Sequence, residues 1–299
     1  MLDFSVEGSF LFCYLAYKEN VMSVSRRTFI ELSFKTAAVI SVANGLSSFS
    51  AESFTLPVKE SIKLRFAIAS DGHYGQQGTA YKSMHEEMLK WLNAESKGRG
   101  LDFTMINGDI FHNDLVFQEE VKTLWQRLAM PFYVSHGNHD NCTEAVWINS
   151  WNSPWHYTFE HNDTGFIVLN TADEKGTYIC PDMAFAKQAL QKMKDKQQLF
   201  VFMHITPLTW TKNGIDCAEL VEYFTGQQNL KAVFHGHDHD QDAMKEQHGK
   251  FYFFDAHIAG NWGTDYRGYR IVEVLKSGEV ITYQMNPLNG IQVNNNRIE

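Results

Sequence analysis

The chain has 299 residues, 44% hydrophobic and 14% aromatic, which is enough apolar material for one large core and excludes a disordered or collagen-like chain. Lys plus Arg total 26 against 35 Asp plus Glu, a formal charge of -9, so a surface built to grip a polyphosphate backbone is excluded and no nucleic-acid partner is expected. The unusual component is histidine, present 13 times; imidazole is a common metal ligand and titrates near neutrality, so the placement of the histidines points to the function.

In chain order, the first element is an address. Residues 25–30 read Ser-Arg-Arg-Thr-Phe-Ile, followed by an apolar stretch from Thr36 to Leu46 and small residues at Ser48, Ser50 and Ala51. A charged, an apolar and a small-residue segment in this order, with Arg26 and Arg27 paired, resembles a twin-arginine signal. The resemblance implies export of the folded chain by the bacterial twin-arginine machinery, removal of residues 1–51, and a periplasmic or extracellular location. Met22, four residues before Arg26, offers an alternative start, and Glu31 stands where such signals usually carry Lys. No apolar run reaches the roughly 20 residues that span a bilayer, so no transmembrane anchor is expected after cleavage. Of the four cysteines, Cys13 falls in the removed segment; the remaining Cys142, Cys180 and Cys217 leave at least one unpaired, and no C-x-x-C spacing supports a zinc-finger or thiol-redox reading.

From Lys63 onward, short apolar runs alternate with helix-length amphipathic segments. Leu64–Ser70 reads as a buried strand leading into Asp71-Gly72-His73, and residues 81–95 carry Met84, Met88, Leu89 and Leu92 at helical spacing. A strand over 102–106 ends at Gly108-Asp109, a helix follows over 117–128, and a strand over 131–135 ends at Gly137-Asn138-His139-Asp140. Residues 157–160 and 165–170 flank an Asn-Asp-Thr-Gly hairpin turn, and a helix is expected over 184–196. Strands over 199–203 and 232–234 end at His204 and at His235-Gly236-His237-Asp238-His239, and three more fall near 251–254, 269–274 and 280–285. Residues 141–156, 171–183, 206–216 and 257–268 read as loops, with Trp147, Trp151, Trp155, Trp210 and Trp262 in or beside them. Strand, loop and helix in repetition predict α/β layering in one domain over residues 60–299, with functional groups at the carboxyl ends of the strands.

Five strand ends carry polar clusters: Asp71 with His73, Asp109, Asn138 with His139, His204, and His237 with His239. Seven ligands, with His139 beside them, are too many for one tetrahedral zinc and suit two five- or six-coordinate ions sharing a carboxylate. The mixed oxygen and imidazole set, free of thiolate, suits Mn, Fe or Zn better than Ca or Mg. Among the other histidines, His112, His136, His235 and His257 are candidates for groups behind the ligands or on the pocket wall, and His85, His156, His161 and His248 read as ordinary loop or surface residues.

Asp71-x-His73, Gly108-Asp109, Gly137-Asn138-His139-Asp140, His204 and Gly236-His237-x-His239 occur in the order of the calcineurin-like metallophosphoesterase superfamily, which this chain resembles over residues 63–240. The helix at 188–193 leading to Phe202-Met203-His204-Ile205-Thr206-Pro207 looks most like the class III cyclic-nucleotide phosphodiesterase branch, although Ile205 and Thr206 depart from its usual His-His-Pro-Pro. The resemblance implies a four-layer α-β-β-α sandwich of two mixed sheets, and two divalent or trivalent metal ions. Asp71, His73 and His239 would hold one ion and Asn138, His204 and His237 the other, with Asp109 bridging. It further implies hydrolysis of a phosphomonoester or phosphodiester, as a small phosphorylated substrate, by a hydroxide between the ions. His139 would be the general acid that protonates the leaving group, oriented by Asp140.

Two departures narrow the subclass. Purple acid phosphatases place Tyr three residues after the bridging Asp, where this chain has His112, so a tyrosinate-iron centre is not expected. Gly108-Asp109-Ile110-Phe111-His112 looks like the corresponding block of double-strand-break repair nucleases, a role at odds with the acidic charge. The competing reading is a non-catalytic interaction module on the same fold, as in the retromer's phosphoesterase-fold subunit; ligand loss would mark it, and here every ligand position is filled.

Overall fold

A computed structural model describes residues 56–299; the signal expected over residues 1–51 lies outside the described residues. Strand β1 (Ile62–Ala69) alternates so that Leu64, Phe66 and Ile68 enter a core between two sheets while Arg65, Ala67 and Ala69 turn to the opposite face. It pairs in parallel with β2 (Phe103–Asn107), which pairs in parallel with β3 (Phe132–Ser135). Its other side meets antiparallel β10 (Tyr269–Leu275), followed outward by β11 (Val280–Asn286) and β12 (Ile291–Ile298). The second sheet runs β4 (Tyr157–His161), β5 (Thr164–Leu169), β6 (Gln198–Met203), β7 (Leu230–His235), β9 (Lys250–Phe254) and β8 (Met244–Gln247). Its β5, β6, β7 and β9 are mutually parallel, and β4 and β8 close the edges antiparallel.

Phenylalanine fills the space between the sheets. The Phe66 ring stacks on Phe103 at 4.8 Å and meets Phe166, Phe200, Phe202 and Phe234 edge-on. Each such side chain contributes roughly 1.5–3 kcal/mol by leaving water. Helices cover the outer faces. Met88, Leu89 and Leu92 of α1 (Tyr81–Arg99) are buried, and Glu95 of that helix bonds Arg65 and Tyr269 on the first sheet. Val121, Leu124 and Trp125 are the buried face of α2 (Gln118–Trp125). On the second sheet, Ile167, Val201 and Val233 pack under Ala186, Leu190 and Met193 of α4 (Met183–Met193) and Leu220 and Phe224 of α5 (Ala218–Gly226). The result is the expected four-layer α-β-β-α sandwich of two mixed sheets.

Four elements depart from the sequence-based expectation. Residues 141–156, expected as loop, contain helix α3 (Glu144–Trp151), N-capped by Thr143, whose side chain accepts from the Val146 amide. Its Val146 and Ile148 are exposed, so no apolar stripe announced it. Helix α5 was likewise not anticipated. Strands β8 and β12 are polar edge strands, Met-Lys-Glu-Gln and Ile-Gln-Val-Asn-Asn-Asn-Arg-Ile, whose pairing is imposed by a neighbour and not by a period of two. Trp147 is fully buried and Trp210 packs on Tyr252 at 5.1 Å, so both are packing residues. Cys180 and Cys217 form a disulfide and Cys142 is free and buried. No helix among the described residues is long and apolar enough to cross a membrane.

Candidate metal centre

The carboxyl ends of β1, β2, β3, β6 and β7 deliver Asp71, Asp109, Asn138, His204 and His237 to one edge of the sandwich, where backbone bonds sew the loops together. The amides of Asp71 and His73 donate to the carbonyls of Gly108 and Asp109, Gly236 N–H donates to His204 O, and Ile258 and Ala259 N–H donate to Ser70 and Asp71. Asp71, His73, Asp109 and His237 all adopt positive φ, between 41° and 65°, which is costly for residues other than glycine; such strain concentrates at functional sites. Glycine is needed beside them for close approach: a Cβ on Gly137 would stand 2.2 Å from Asp109 N, and one on Gly236 would enter the Ser70 hydroxyl.

Three groups of ligand atoms converge, each within 4.8 Å: Asp71 with His73 and His239, Asp109 with His204 and His237, and His73 with His112 and His139; the first two contain the carboxylates. Asp71 Oδ1 is 3.2 Å from His239 Nε2, and His73 Nε2 is 3.0 Å from the same nitrogen. Asp109 Oδ2 lies between the groups, 3.2 Å from His204 Nε2 and 3.6 Å from His73 Nε2. Backbone donors fix both carboxylates, His237 N–H at 3.0 Å from each Asp71 oxygen and His139 N–H at 2.7 Å from Asp109 Oδ1, and the Ser70 side-chain hydroxyl donates to Asp71. His204 Nδ1 bonds Asn107 O at 2.8 Å, a contact that makes Nδ1 the donor and turns Nε2 toward the carboxylates.

The donor set fits metal ions. Asn138 Oδ1, His204 Nε2 and His237 Nε2 are buried without a well-formed hydrogen bond, an arrangement that costs about 1–3 kcal/mol per neutral group unless another partner is supplied. Burial pulls His73 down to about 3 and His237 down to about 4, so both are neutral imidazoles with a lone pair to give. Burial also opposes charge on Asp71, Asp109 and His204, yet their mutual proximity wins: the carboxyls fall below the usual range beside His239 and His204, and His204 rises to about 10 beside Asp109 and Asp71. Two buried carboxylates thus demand positive charge at this point.

The structure places the remaining candidates as follows. His139 is half-buried beside His73, with ring centroids 4.9 Å apart, and its Nδ1 lies 2.9 Å from Asn113 Oδ1. Asn113, at φ 62°, had no signal in the sequence. The expectation that Asp140 orients His139 is corrected: its two oxygens accept the amides of Phe111 and Gly137, each at 2.9 Å, so it clamps two loops. Burial, then Asp109, hold that carboxyl well above its ordinary value. His112 stacks on His139 at 4.7 Å, with its Nδ1 3.1 Å from His73 Nδ1. His257 stacks on His239 at 5.2 Å. His136 bonds Asn170 Oδ1 and Asp140 O beneath Trp155, and His235 bonds Met203 O beside Tyr252, so these two hold the framework. His85, expected as an ordinary loop or surface residue, is fully buried on α1 and holds the ligand loop through Gly72 O at 2.8 Å.

Aromatic rings flank the centre. Trp262, 44% exposed, stacks on His239 at 4.7 Å beside a cleft of about 360 Å³ that includes Thr264, Asp265 and Tyr266. Tyr178 meets His237 edge-on at 4.9 Å. A larger cavity, about 690 Å³ beside β3 and β4, contains none of the site residues.

No curated protein matches the chain in sequence. The fold is similar to that of a dimetal phosphatase from Danio rerio, at 12% identity over 79% of this chain and 99% of that one, with a TM-score of 0.58. It is also similar to a purple acid phosphatase from yellow lupin (Lupinus luteus) seeds, at 10% identity over 78% of this chain with a TM-score of 0.55; the match spans 53% of the lupin protein. The sequence model of the calcineurin-like phosphoesterases matches residues 64–241, the span that carries all five ligand loops, and by that match the chain belongs to the calcineurin-like phosphoesterase family, whose enzymes are dinuclear metallophosphoesterases.

Proposed function

We propose that this chain hydrolyses a phosphomonoester or phosphodiester outside the bacterial cytoplasm, with Asp71, His73 and His239 holding one metal ion, Asn138, His204 and His237 a second, and Asp109 shared between them. The observation that carries the reading is the position of Asp109 Oδ2, 3.2 and 3.6 Å from histidines of the two groups. Two bound ions of Mn, Fe or Zn would supply positive charge to the phosphoryl oxygens and make a water acidic enough to attack at neutral pH. The backbone amides of His237 and His139 keep both carboxylates aimed inward, so little reorganisation is needed as charge develops. Asn113 Oδ1 accepts from His139 Nδ1–H, which presents the opposite ring nitrogen to the leaving-group oxygen as a proton donor.

Phosphoester hydrolysis is tested by loading the purified chain with Mn, Fe or Zn and screening aryl phosphates, cyclic nucleotides, nucleoside polyphosphates and phospholipid head groups. Metal-dependent product from at least one class is expected; binding of two metals without turnover of any ester would overturn it. The cyclic-nucleotide reading has one supporting observation, the half-exposed Trp262 face beside its cleft, which suits stacking of a base. Export through the twin-arginine machinery draws support from Arg26-Arg27 and from the Cys180–Cys217 disulfide, a bond that persists in oxidising compartments. Mass analysis of periplasmic protein should find residues 1–51 removed, and loss of export in Arg26→Lys/Arg27→Lys is the matching genetic test.

A further inference from the structure

We infer that Tyr178 is a substrate-contacting residue, whose phenol donates a hydrogen bond to a non-bridging phosphoryl oxygen on the His237 side of the site. The inference rests on the phosphoester reading and names a residue outside the ligand loops. Tyr178 belongs to a hairpin over residues 171–180 built to be rigid. Asp173 Oδ1 accepts the amides of Lys175 and Thr177 at 2.9 and 2.8 Å, Gly176 N–H donates to Asp173 O, and Ile179 N–H donates to Thr171 O. The hairpin is fastened to both sides of the metal centre. At its base, Thr171 Oγ1 accepts the amide of Ile205, the residue after His204. Near its tip, Gly176 lies so close to Asn138 that a Cβ would stand 2.2 Å from the Asn138 carbonyl. Two residues beyond Tyr178, the Cys180–Cys217 disulfide ties its end to the start of α5.

This scaffold holds the Tyr178 ring edge-on against His237 while 39% of the residue stays exposed. Its hydroxyl makes no hydrogen bond among the described residues, which leaves a donor free on a ring that packs against a site where phosphoryl oxygens gain negative charge.

Tyr178→Phe keeps the ring and its contact with His237 and removes only the donor. With metal content equal to that of the wild type, we expect kcat/KM to fall about 10- to 100-fold, the range of a hydrogen bond to a charged group. Inhibition by orthovanadate should weaken by a comparable factor. A Tyr178→Phe enzyme within twofold of the wild type in both kcat/KM and vanadate affinity would overturn the assignment. Cys217→Ser releases the tether and should lower kcat/KM in the wild-type background but add nothing to Tyr178→Phe; multiplicative losses in the double variant would overturn the tether's part. Wild-type protein that turns over no ester removes the phosphoester reading, whereas active wild type with an indifferent Tyr178→Phe removes this inference alone.

Discussion

Gly137 is the most exacting test of how the loops position the Asp109 carboxylate. A Cβ at this position would lie 2.2 Å from Asp109 N and 2.3 Å from Asp109 Oδ1. Ordinary contact begins near 3.4 Å, so Gly137→Ala forces a separation of about 1.2 Å at a point where the nearest atom is backbone and cannot swing aside. The displaced group is the carboxylate that lies between His204 and His73, held on its other side by His139 N–H at 2.7 Å. A misplacement of about 1 Å in a reacting centre costs on the order of 10²-fold in rate, and overpacking of this kind costs about 1–3 kcal/mol in stability. Gly137→Ala should therefore lower kcat by about two orders of magnitude at saturating metal and weaken the binding of at least one ion by calorimetric titration. Gly98→Ala is the control, since a Cβ there meets nothing within 4 Å and the position lies in α1; it should keep full activity and gain about 0.5–1 kcal/mol. Metal affinity and kcat of Gly137→Ala within threefold of the wild type would refute the argument that Asp109 is placed by close packing of its neighbouring loop.

Three further outcomes follow from named contacts. Replacing Cys180 and Cys217 by Ser opens a loop with a sequence separation of 37; chain-entropy arithmetic gives a loss of about 4 kcal/mol, to be read from urea midpoints, and an unchanged midpoint would refute it. Burial lowers His85 from 6.5 to about 4. The unfolded chain therefore takes up this proton at a higher pH than the folded chain, and native stability falls by about 3 kcal/mol as pH drops from 6.5 to 4. In His85→Gln the acid limb should be flatter, measured by urea unfolding at pH 7 and 4.5; equal slopes in the two proteins would sink the assignment. Asn113→Gly removes the partner of His139 while keeping the left-handed backbone free of strain, so metal content should hold while kcat falls about 10-fold on esters with poor leaving groups. A uniform loss across good and poor leaving groups would show that Asn113 does not serve proton donation.

What could be read from the sequence follows from where the physics is local. Alternation along Leu64, Phe66 and Ile68 fixes one strand face, and an apolar run that stops at Gly108-Asp109 or Gly137-Asn138-His139 marks a strand end with ligands on it, because glycine and ligand must be neighbours for the backbone to come close. Contacts made across the fold leave no such trace. Asp140 follows His139 directly, yet its partners are the amides of Phe111 and Gly137. His85 has the spacing of any helical residue, and only the packing of α1 against Gly72 makes it part of the site. Edge strands β8 and β12 give the core little beyond Met244 and Ile298 and so lack an alternating pattern.

The left-handed residues show why this division matters for function. Asp71, His73, Asp109, Asn113 and His237 are each held at positive φ, a conformation that costs His most and Asn and Asp less. What holds them is the set of bonds between loops: His73 N–H on Asp109 O, Asn113 N–H on His139 O, and His237 N–H on Asp71. Each loop is strained by itself and satisfied by another, so the ligands reach their positions together, as one structure assembled at the sheet edge. Substitutions that loosen any one of these loops should therefore disturb ligands on the others, a coupling that double-variant measurements of metal affinity between the Asp71 and Asp109 loops would reveal as non-additive.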